Sequence, residues 1–139
     1  MRGRSLQRLS PVDLVGAVAR LVESGTGTAC VTAVRDDEES PFFFVEAVGS
    51  RPAKSRTMFL EDFTCYVHAV SVPSESQLEV LGMVAEMEEA MEAGVSLRAP
   101  FHLVLQSEDG IQRVTRDPTG EWHAVTAYTF RVSYGLKIK

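Results

Sequence analysis

Two long stretches of the chain alternate between apolar and polar residues with a period of two. In the stretch from Met58 to Val72, one set of alternate positions is apolar, namely Phe63, Cys65, Val67 and Ala69, and the other holds Thr64, Tyr66 and His68. Because successive side chains of a strand point to opposite sides, this pattern predicts a strand with one face in the core. The stretch from Trp122 to Leu136 alternates in the same way. Such alternation is typical of an antiparallel sheet with one packed face and one face in water.

The stretch from Ser74 to Ala93 has the period of an amphipathic helix. Its apolar residues recur at spacings that place them on one side of a helix, and they are Val80, Val84, Met87 and Met91. A stripe of carboxylates without any Lys or Arg lies roughly opposite and consists of Glu75, Glu79, Glu86 and Glu89. Ser74 and Gln77 fit a capping box at the start. We interpret the acidic stripe as a solvated surface; the alternative is a surface that docks on a basic partner.

Another helix is predicted near the start of the chain. Ser10 is suited to the N-cap, Pro11 to the first helical position, and Asp13 to the positive end of the helix dipole. Apolar residues follow at helical spacing, and Gly25 is a suitable end. The β-branched segment from Thr28 to Arg35 then predicts a strand.

The next segments predict a strand followed by a basic loop. Residues 42–48 (FFFVEAV) are nearly all apolar, and three successive Phe rings require both faces of the strand to be covered, one of them by another subunit as one option. Residues 49–57 (GSRPAKSRT) are the most basic segment and predict an exposed, flexible hairpin connection. Its cations are Arg51, Lys54 and Arg56. Solvation of these cations and contact with an acidic neighbour are the two alternatives.

The last third of the chain predicts two or three further strands. A short strand from Phe101 to Gln106 is followed by an Asp-Gly turn signal at residues 107–110 and by a second segment at residues 111–116. Residues 117–120 (DPTG) predict another turn before the final strand. The expected fold is therefore α+β with a mostly antiparallel sheet, two helices and the order α-β-β-β-α-β-β, with one more strand as an option.

Composition limits the class of protein. The chain has 139 residues, 45% of them hydrophobic, which predicts one globular domain spanning residues 1–139. A net charge of −5 argues against general binding to nucleic acid, which needs a basic surface. No segment approaches the roughly 20 apolar residues that cross a bilayer. We therefore expect a protein that is made and kept inside a cell, with no membrane contact and with Cys30 and Cys65 as buried free thiols.

The chain offers no pattern of residues typical of catalysis. Its histidines, His68, His102 and His123, lie far apart in sequence, and Cys65 and His68 would point to opposite faces of one strand. Serine-nucleophile, phosphate-loop and zinc-protease motifs are missing from the sequence. The run at residues 36–39 (DDEE) lacks the alternating ligands and glycine of a calcium loop. We predict no enzyme activity, no cofactor and no metal.

The order of elements resembles the tail terminator proteins of long-tailed bacteriophages and prophages, also called tail-completion or head–tail joining proteins. The resemblance rests on a short leading helix, a strand opened by Pro41, a variable loop, the long strand through Phe63 and Val67, the helix from Ser74, and a turn at residues 120–123 (GEWH) that leads into a strand. It covers nearly the whole chain.

This resemblance implies a structural virion protein. It implies a ring, expected to be a hexamer, that caps the tail tube, meets the head connector and forms in the host cytoplasm before it enters the virion tail. An unpaired final strand would offer an edge for another subunit. The cations Arg51, Lys54 and Arg56 would meet the acidic helix surface, represented by Glu79, Glu86 and Glu89, of the next copy. Two alternatives stay open: a small ligand-binding or catalytic domain with a pocket lined by Tyr66, His68 and Tyr128, and an adaptor with a single partner.

Overall fold

The computed structural model describes residues 9–136 and contains a five-stranded sheet with two helices. The elements in chain order are α1 (Pro11–Thr26), β1 (Cys30–Val31), β2 (Phe42–Ala53), β3 (Met58–Val70), α2 (Leu78–Met91), β4 (His102–Arg116) and β5 (Trp122–Leu136). The strands lie side by side in the order β1-β2-β3-β5-β4. β1 runs parallel to β2, and the other neighbouring pairs are antiparallel. The predicted α+β class and the predicted order of elements are therefore confirmed.

Both helices contribute to one core against one face of the sheet. The predicted apolar side of α2 is buried, with Val80, Val84, Met87 and Met91 each at most 2% exposed. From the strands, the core receives the apolar sets that the alternation predicted, including Phe63 and Val67 from β3 and Phe130 and Val132 from β5. The opposite face of the sheet is not covered by a helix in the described part of the chain, and it is called the open face below.

The start of α1 follows the prediction, and its end lies later. The Ser10 side chain accepts a hydrogen bond from the Val12 N–H at 3.2 Å. The helix continues through Gly25 to Thr26, and Gly27 closes it in the left-handed conformation with φ of 75°. Gly25 has another role, because its backbone lies against Ala90 of α2.

α2 begins later than the predicted capping box. Ser74 and Gln77 do not form that box: the Ser74 hydroxyl accepts from the Ser76 N–H, and the Ser76 hydroxyl accepts from the Leu78 N–H. The physical reason lies in β5, whose Trp122 donates from Nε1 to the Ser74 carbonyl at 3.0 Å. This contact keeps Ser74 beside the sheet, so the first helical turn forms only at Leu78.

The predicted strand at residues 28–35 is mostly wrong, and the next strand is longer than predicted. β1 contains only Cys30 and Val31, which pair with Phe43 and Phe44. Parallel neighbours need a crossover connection, so the chain leaves the sheet after Val31 and returns to the start of β2. β2 then continues to Ala53, opposite Leu60 of β3. Most of the predicted basic loop is therefore strand, and the connection itself is residues 54–57.

The predicted Asp-Gly turn at residues 107–110 is wrong. Residues 102–116 form one strand, β4, which stays paired with β5 along its length. Gly110 has φ of 90°, but this conformation serves a bulge beside Ala127 and not a reversal. β4 is consequently the last strand of the sheet and β5 lies between β3 and β4, so the prediction of an unpaired final strand is also wrong. The turn predicted at residues 117–120 is confirmed, with Gly120 at φ of 90°.

The two cysteines are free and buried, as predicted. They do not pair because β2 separates β1, which carries Cys30, from β3, which carries Cys65. Burial raises the pKa of each thiol to about 12, with the Glu23 carboxylate adding to the effect at Cys30. Both thiols are therefore unreactive at neutral pH.

Candidate interaction surfaces

The basic segment is an exposed strand hairpin at one end of the sheet. Arg51 lies on β2, and Lys54 and Arg56 lie in the connection to β3; all three are exposed. Exposure is continuous from Ala47 to Pro52. None of the ion pairs within residues 9–136 engages these three cations. We call residues 47–60 the basic hairpin.

A row of charges across three strands anchors the basic hairpin to the sheet. Asp62 lies opposite Arg51 on one side and Arg131 on the other. Arg131 donates to both carboxylate oxygens of Asp62, at 2.8 Å and 3.0 Å. These hydrogen bonds lower the pKa of Asp62, and the charges of Arg131 and Arg51 add to the effect against the opposing effect of burial. The row holds one carboxylate between two guanidinium groups, so the hairpin end of the sheet remains positive.

The acidic surface of α2 faces away from the sheet, as predicted. Glu79, Glu86 and Glu89 are exposed, whereas Val80, Val84 and Met87 on the opposite side of the helix are buried. Glu75 is exposed as well but precedes the helix. Among the described residues, no cation forms an ion pair with these four carboxylates.

A second group of carboxylates lies between the end of α2 and β4. The sequence analysis did not predict this group. Glu88 of α2 and Glu92, which directly follows the helix, lie with Glu108 of β4 around a cavity of about 240 Å³ that Tyr128 also lines. A hydrogen bond with Glu88 and then burial raise the pKa of Glu108 to about 7, with the charges of Glu88 and Glu92 contributing. The spacing of Glu88 and Glu92 along the helix was visible in the sequence, but the approach of Glu108 depends on where β4 lies.

The helix end and β4 are held together close to this carboxylate group. The Gln106 side chain donates to the Met91 carbonyl at 2.7 Å and accepts from the Val95 N–H at 3.2 Å. These bonds satisfy backbone groups at and after the end of α2, which lack partners inside the helix. The end of α2 is thereby held next to β4.

The basic hairpin and the acidic surface lie apart in the molecule. Arg51 is on β2, whereas α2 packs over β5 and β3 and its end is held to β4, on the far side of β5 from β2. The charges are opposite in sign, and both surfaces are exposed. The structure thus brings none of the predicted contact residues together within one copy.

The open face carries a pair of histidines that the sequence placed far apart. His68 Nδ1 lies 2.7 Å from His123 Nε2, and His68 Nε2 lies 2.7 Å from the Glu46 carboxylate. These contacts are satisfied when His68 donates to Glu46 and His123 donates to His68. Burial and the neighbouring His68 lower the pKa of His123. The pairing of β3 with β5 creates this contact, and alternation alone could not reveal it; His102 lies apart, exposed at the start of β4.

The predicted pocket of Tyr66, His68 and Tyr128 is wrong. Tyr66 and His68 lie on the open face beside a cavity of about 270 Å³ that Glu46 and Arg113 also line. Tyr128 lies on the other face, 2% exposed, where its hydroxyl contacts the Met87 sulfur at 3.5 Å. Thus the sheet itself separates the residues of the predicted pocket.

Within residues 9–136, no three or more His, Cys, Asp or Glu side chains are placed to hold a metal ion. Neither α1 nor α2 has the length and apolar character that crossing a bilayer requires.

The fold is that of a small α+β protein with two helices on one face of a mostly antiparallel sheet. A protein-family model described as "Putative tail termination protein" matches residues 5–139. The chain therefore belongs to this family of phage tail termination proteins, and it is a structural protein of the phage tail.

The solved structures include a relative in the "Virion of native gene transfer agent (GTA) particle". It is 16% identical, covers 88% of this chain and 96% of its own, and superposes with a TM-score of 0.62. At this identity the likeness shows a shared fold. No match was found among curated proteins.

Proposed function

We propose that this chain is a non-enzymatic tail terminator that forms a ring of six copies at the end of a long phage tail. In this role the ring caps the tail tube and meets the head connector, after assembly in the host cytoplasm. Membership in the tail termination family supports the place in the tail. The relative in a gene transfer agent virion supports a fold that suits a particle component.

The observation that carries the ring is the separation of two opposite charges. Arg51, Lys54 and Arg56 lie on β2 and in the connection after it, and the acidic surface lies on α2, which packs over β5 and β3 with its end held to β4. A contact between two different surfaces of identical copies is heterologous, and it closes into a ring when the rotation between copies permits. Opposite charges favour this contact and disfavour contact between like surfaces.

The test measures assembly as a function of charge. Sedimentation velocity and light scattering of the purified protein at low salt should show a ring-sized species that dissociates as salt screens exposed charges. The triple variant R51E/K54E/R56E should fail to assemble, whereas the charge-conserving control R51K/K54R/R56K should behave as wild type. Because Arg51 lies opposite Asp62, the double variant K54E/R56E provides a second test that leaves the strand row intact.

A mixing experiment separates a charge contact from a general loss of solubility or folding. The variant E79K/E86K/E89K should also fail to assemble alone. Mixed in equal amounts with R51E/K54E/R56E, it should restore rings in which the two variants alternate, because each hairpin then meets a surface of opposite charge. A wild-type protein that stays monomeric at high concentration and low salt contradicts the ring, and rings that form equally well from every variant contradict the charge contact.

A further inference from the structure

We propose that consecutive copies in the ring join their sheets, with β4 of one copy pairing edge to edge with the exposed half of β2 in the next. This inference rests on the proposed ring, and it adds backbone pairing between strands of neighbouring copies. β4 is the outermost strand at one end of the described sheet. At the other end, β1 covers only Phe43 and Phe44, so from Val45 onward this side of β2 has no partner strand among residues 9–136. The described part of each copy thus presents two strand edges without a neighbour, and such edges are templates for pairing with another chain.

The directions of the strands suit a cyclic contact. β2 is antiparallel to β3, β3 to β5, and β5 to β4, so β2 and β4 point in opposite directions. A rotation about an axis along the strands keeps every strand direction. The next copy's β2 therefore arrives antiparallel to β4, which is the slightly more stable pairing.

The register sets the levels of these two edges. Through β3 and β5, Arg51 of β2 lies level with Leu105 of β4, Ser50 with Gln106, and Gly49 with Ser107. Rotation about the strand direction keeps these levels aligned, so the paired residues would lie on the same faces of the joined sheet. Away from the hairpin end, β4 carries Arg113 and Arg116, and the acidic run at residues 36–39 leads into β2, so opposite signs meet at that end.

Exposed apolar side chains on both edges are a further reason to expect that another strand covers them. Val104, Leu105 and Ile111 of β4 are 48%, 54% and 46% exposed, and Val48 of β2 is 43% exposed. Edge strands that remain alone in solution are normally guarded by charged residues, bulges or proline. β4 has three bulges, and β2 has Pro52, which has no N–H to donate. These guards limit the pairing to a short run, which we place at residues 105–107 of β4, between two bulges, against residues 49–51 of β2.

Cysteine cross-linking tests this contact in the assembled protein. The variant G49C/S107C places its two cysteines at one level and on one face of the joined sheet. It should form a ladder of disulfide-linked species from dimer upward under mild oxidation, and reduction should abolish it. The native thiols of Cys30 and Cys65 do not interfere, because both are buried and unreactive at neutral pH. A matched control, V12C/S107C, moves the first cysteine from position 49 to an exposed position on α1 and should give no ladder.

Each outcome of the experiment has one meaning. A mixture of G49C and S107C single variants should give a mixed dimer, which supports the pairing of different edges. A dimer from S107C alone would show β4 against β4 and overturn the inference. Ring-sized particles without the G49C/S107C ladder would overturn the edge contact while leaving the proposed function standing. A protein that never assembles would overturn the proposed function itself.

Discussion

Gly25 of α1 and Ala90 of α2 lie so close that a β-carbon at position 25 would be 2.4 Å from the Ala90 β-carbon and 3.1 Å from its α-carbon. The two helices cross at this point, and the missing side chain of Gly25 permits the approach. Since one of the nearest atoms belongs to the backbone, rotation of a side chain cannot relieve the overlap.

The substitution Gly25→Ala should therefore destabilise the protein by about 1–3 kcal/mol, the usual cost of overpacking a well-packed contact. Urea unfolding followed by circular dichroism measures the change. Gly82→Ala is the matched control, because a β-carbon there meets nothing within 4 Å. It should stabilise the helix by about 0.5–1 kcal/mol. Equal gains from both substitutions would contradict the close crossing, and Ala90→Gly should partly rescue Gly25→Ala.

Asp62 should support stability above its ordinary pKa and lose this role in acid. The hydrogen bonds from Arg131 lower the pKa of Asp62 from 3.8, so the unfolded chain binds this proton more readily than the folded chain. The stabilisation is present above pH 3.8 and disappears as the pH falls through the lower folded value. Asp62→Asn should reduce the free energy of unfolding at pH 7. Between pH 4 and pH 2, the free energy of unfolding should fall less in this variant than in wild type. Parallel pH profiles for wild type and variant would contradict this role.

Glu108 should change the free energy of unfolding with pH in the opposite direction to Asp62, and in a higher pH range. Its pKa is raised from 4.5 to about 7, so between these values the folded chain keeps a proton that the unfolded chain has released. The free energy of unfolding should therefore fall as pH rises from 4.5 to about 7. Glu108→Gln should remove this part of the pH dependence and make the protein more stable than wild type at pH 8. Glu79→Gln, at an exposed position away from the group, is the control and should leave the profile unchanged.

The histidine pair should be visible by nuclear magnetic resonance. The pKa of His123 is lowered from 6.5 by burial first and by His68 second. His68→Ala should raise the pKa of His123 toward the ordinary value, while His102→Ala should not change it. Because the pKa is lowered in the folded state, the stability associated with His123 is present above pH 6.5 and falls as the pH drops below it. An unchanged His123 titration in His68→Ala would contradict the contact.

The sequence was sufficient to predict those features of the structure that depend on residues close together in the chain. The cap at Ser10, the apolar side of α2 and the turn before β5 all depend on residues a few positions apart, and all three are confirmed. The exposure of Arg51, Lys54 and Arg56 and of the acidic surface of α2 followed from the same kind of reasoning. Contact between copies through these residues stays a prediction, which the charge variants test.

The errors share one physical cause, because each concerns a contact between distant residues. Gly110 after Asp109 has the local chemistry of a turn, but the unbroken partner strand β5 makes the bulge with continued pairing the better solution. Ser74 has the chemistry of a helix cap, but Trp122 binds its carbonyl beside the sheet. In both cases a partner from a distant part of the chain, Ala127 for Gly110 and Trp122 for Ser74, overrides a preference set by residues within four positions.

The sequence by itself determined the number and type of the main elements and which face of each is apolar, because both depend on the periods of helix and strand. Only the tertiary structure decided the order of strands, and with it the open edges of β2 and β4, the row of Arg51, Asp62 and Arg131, and the meeting of His68 with His123. An alternating pattern indicates which side of a strand is buried. The pattern does not depend on which other strand lies beside it, so it cannot identify the neighbouring strand. The choice of neighbour depends on packing the whole core at once, and that choice places the surfaces through which this tail protein is proposed to assemble.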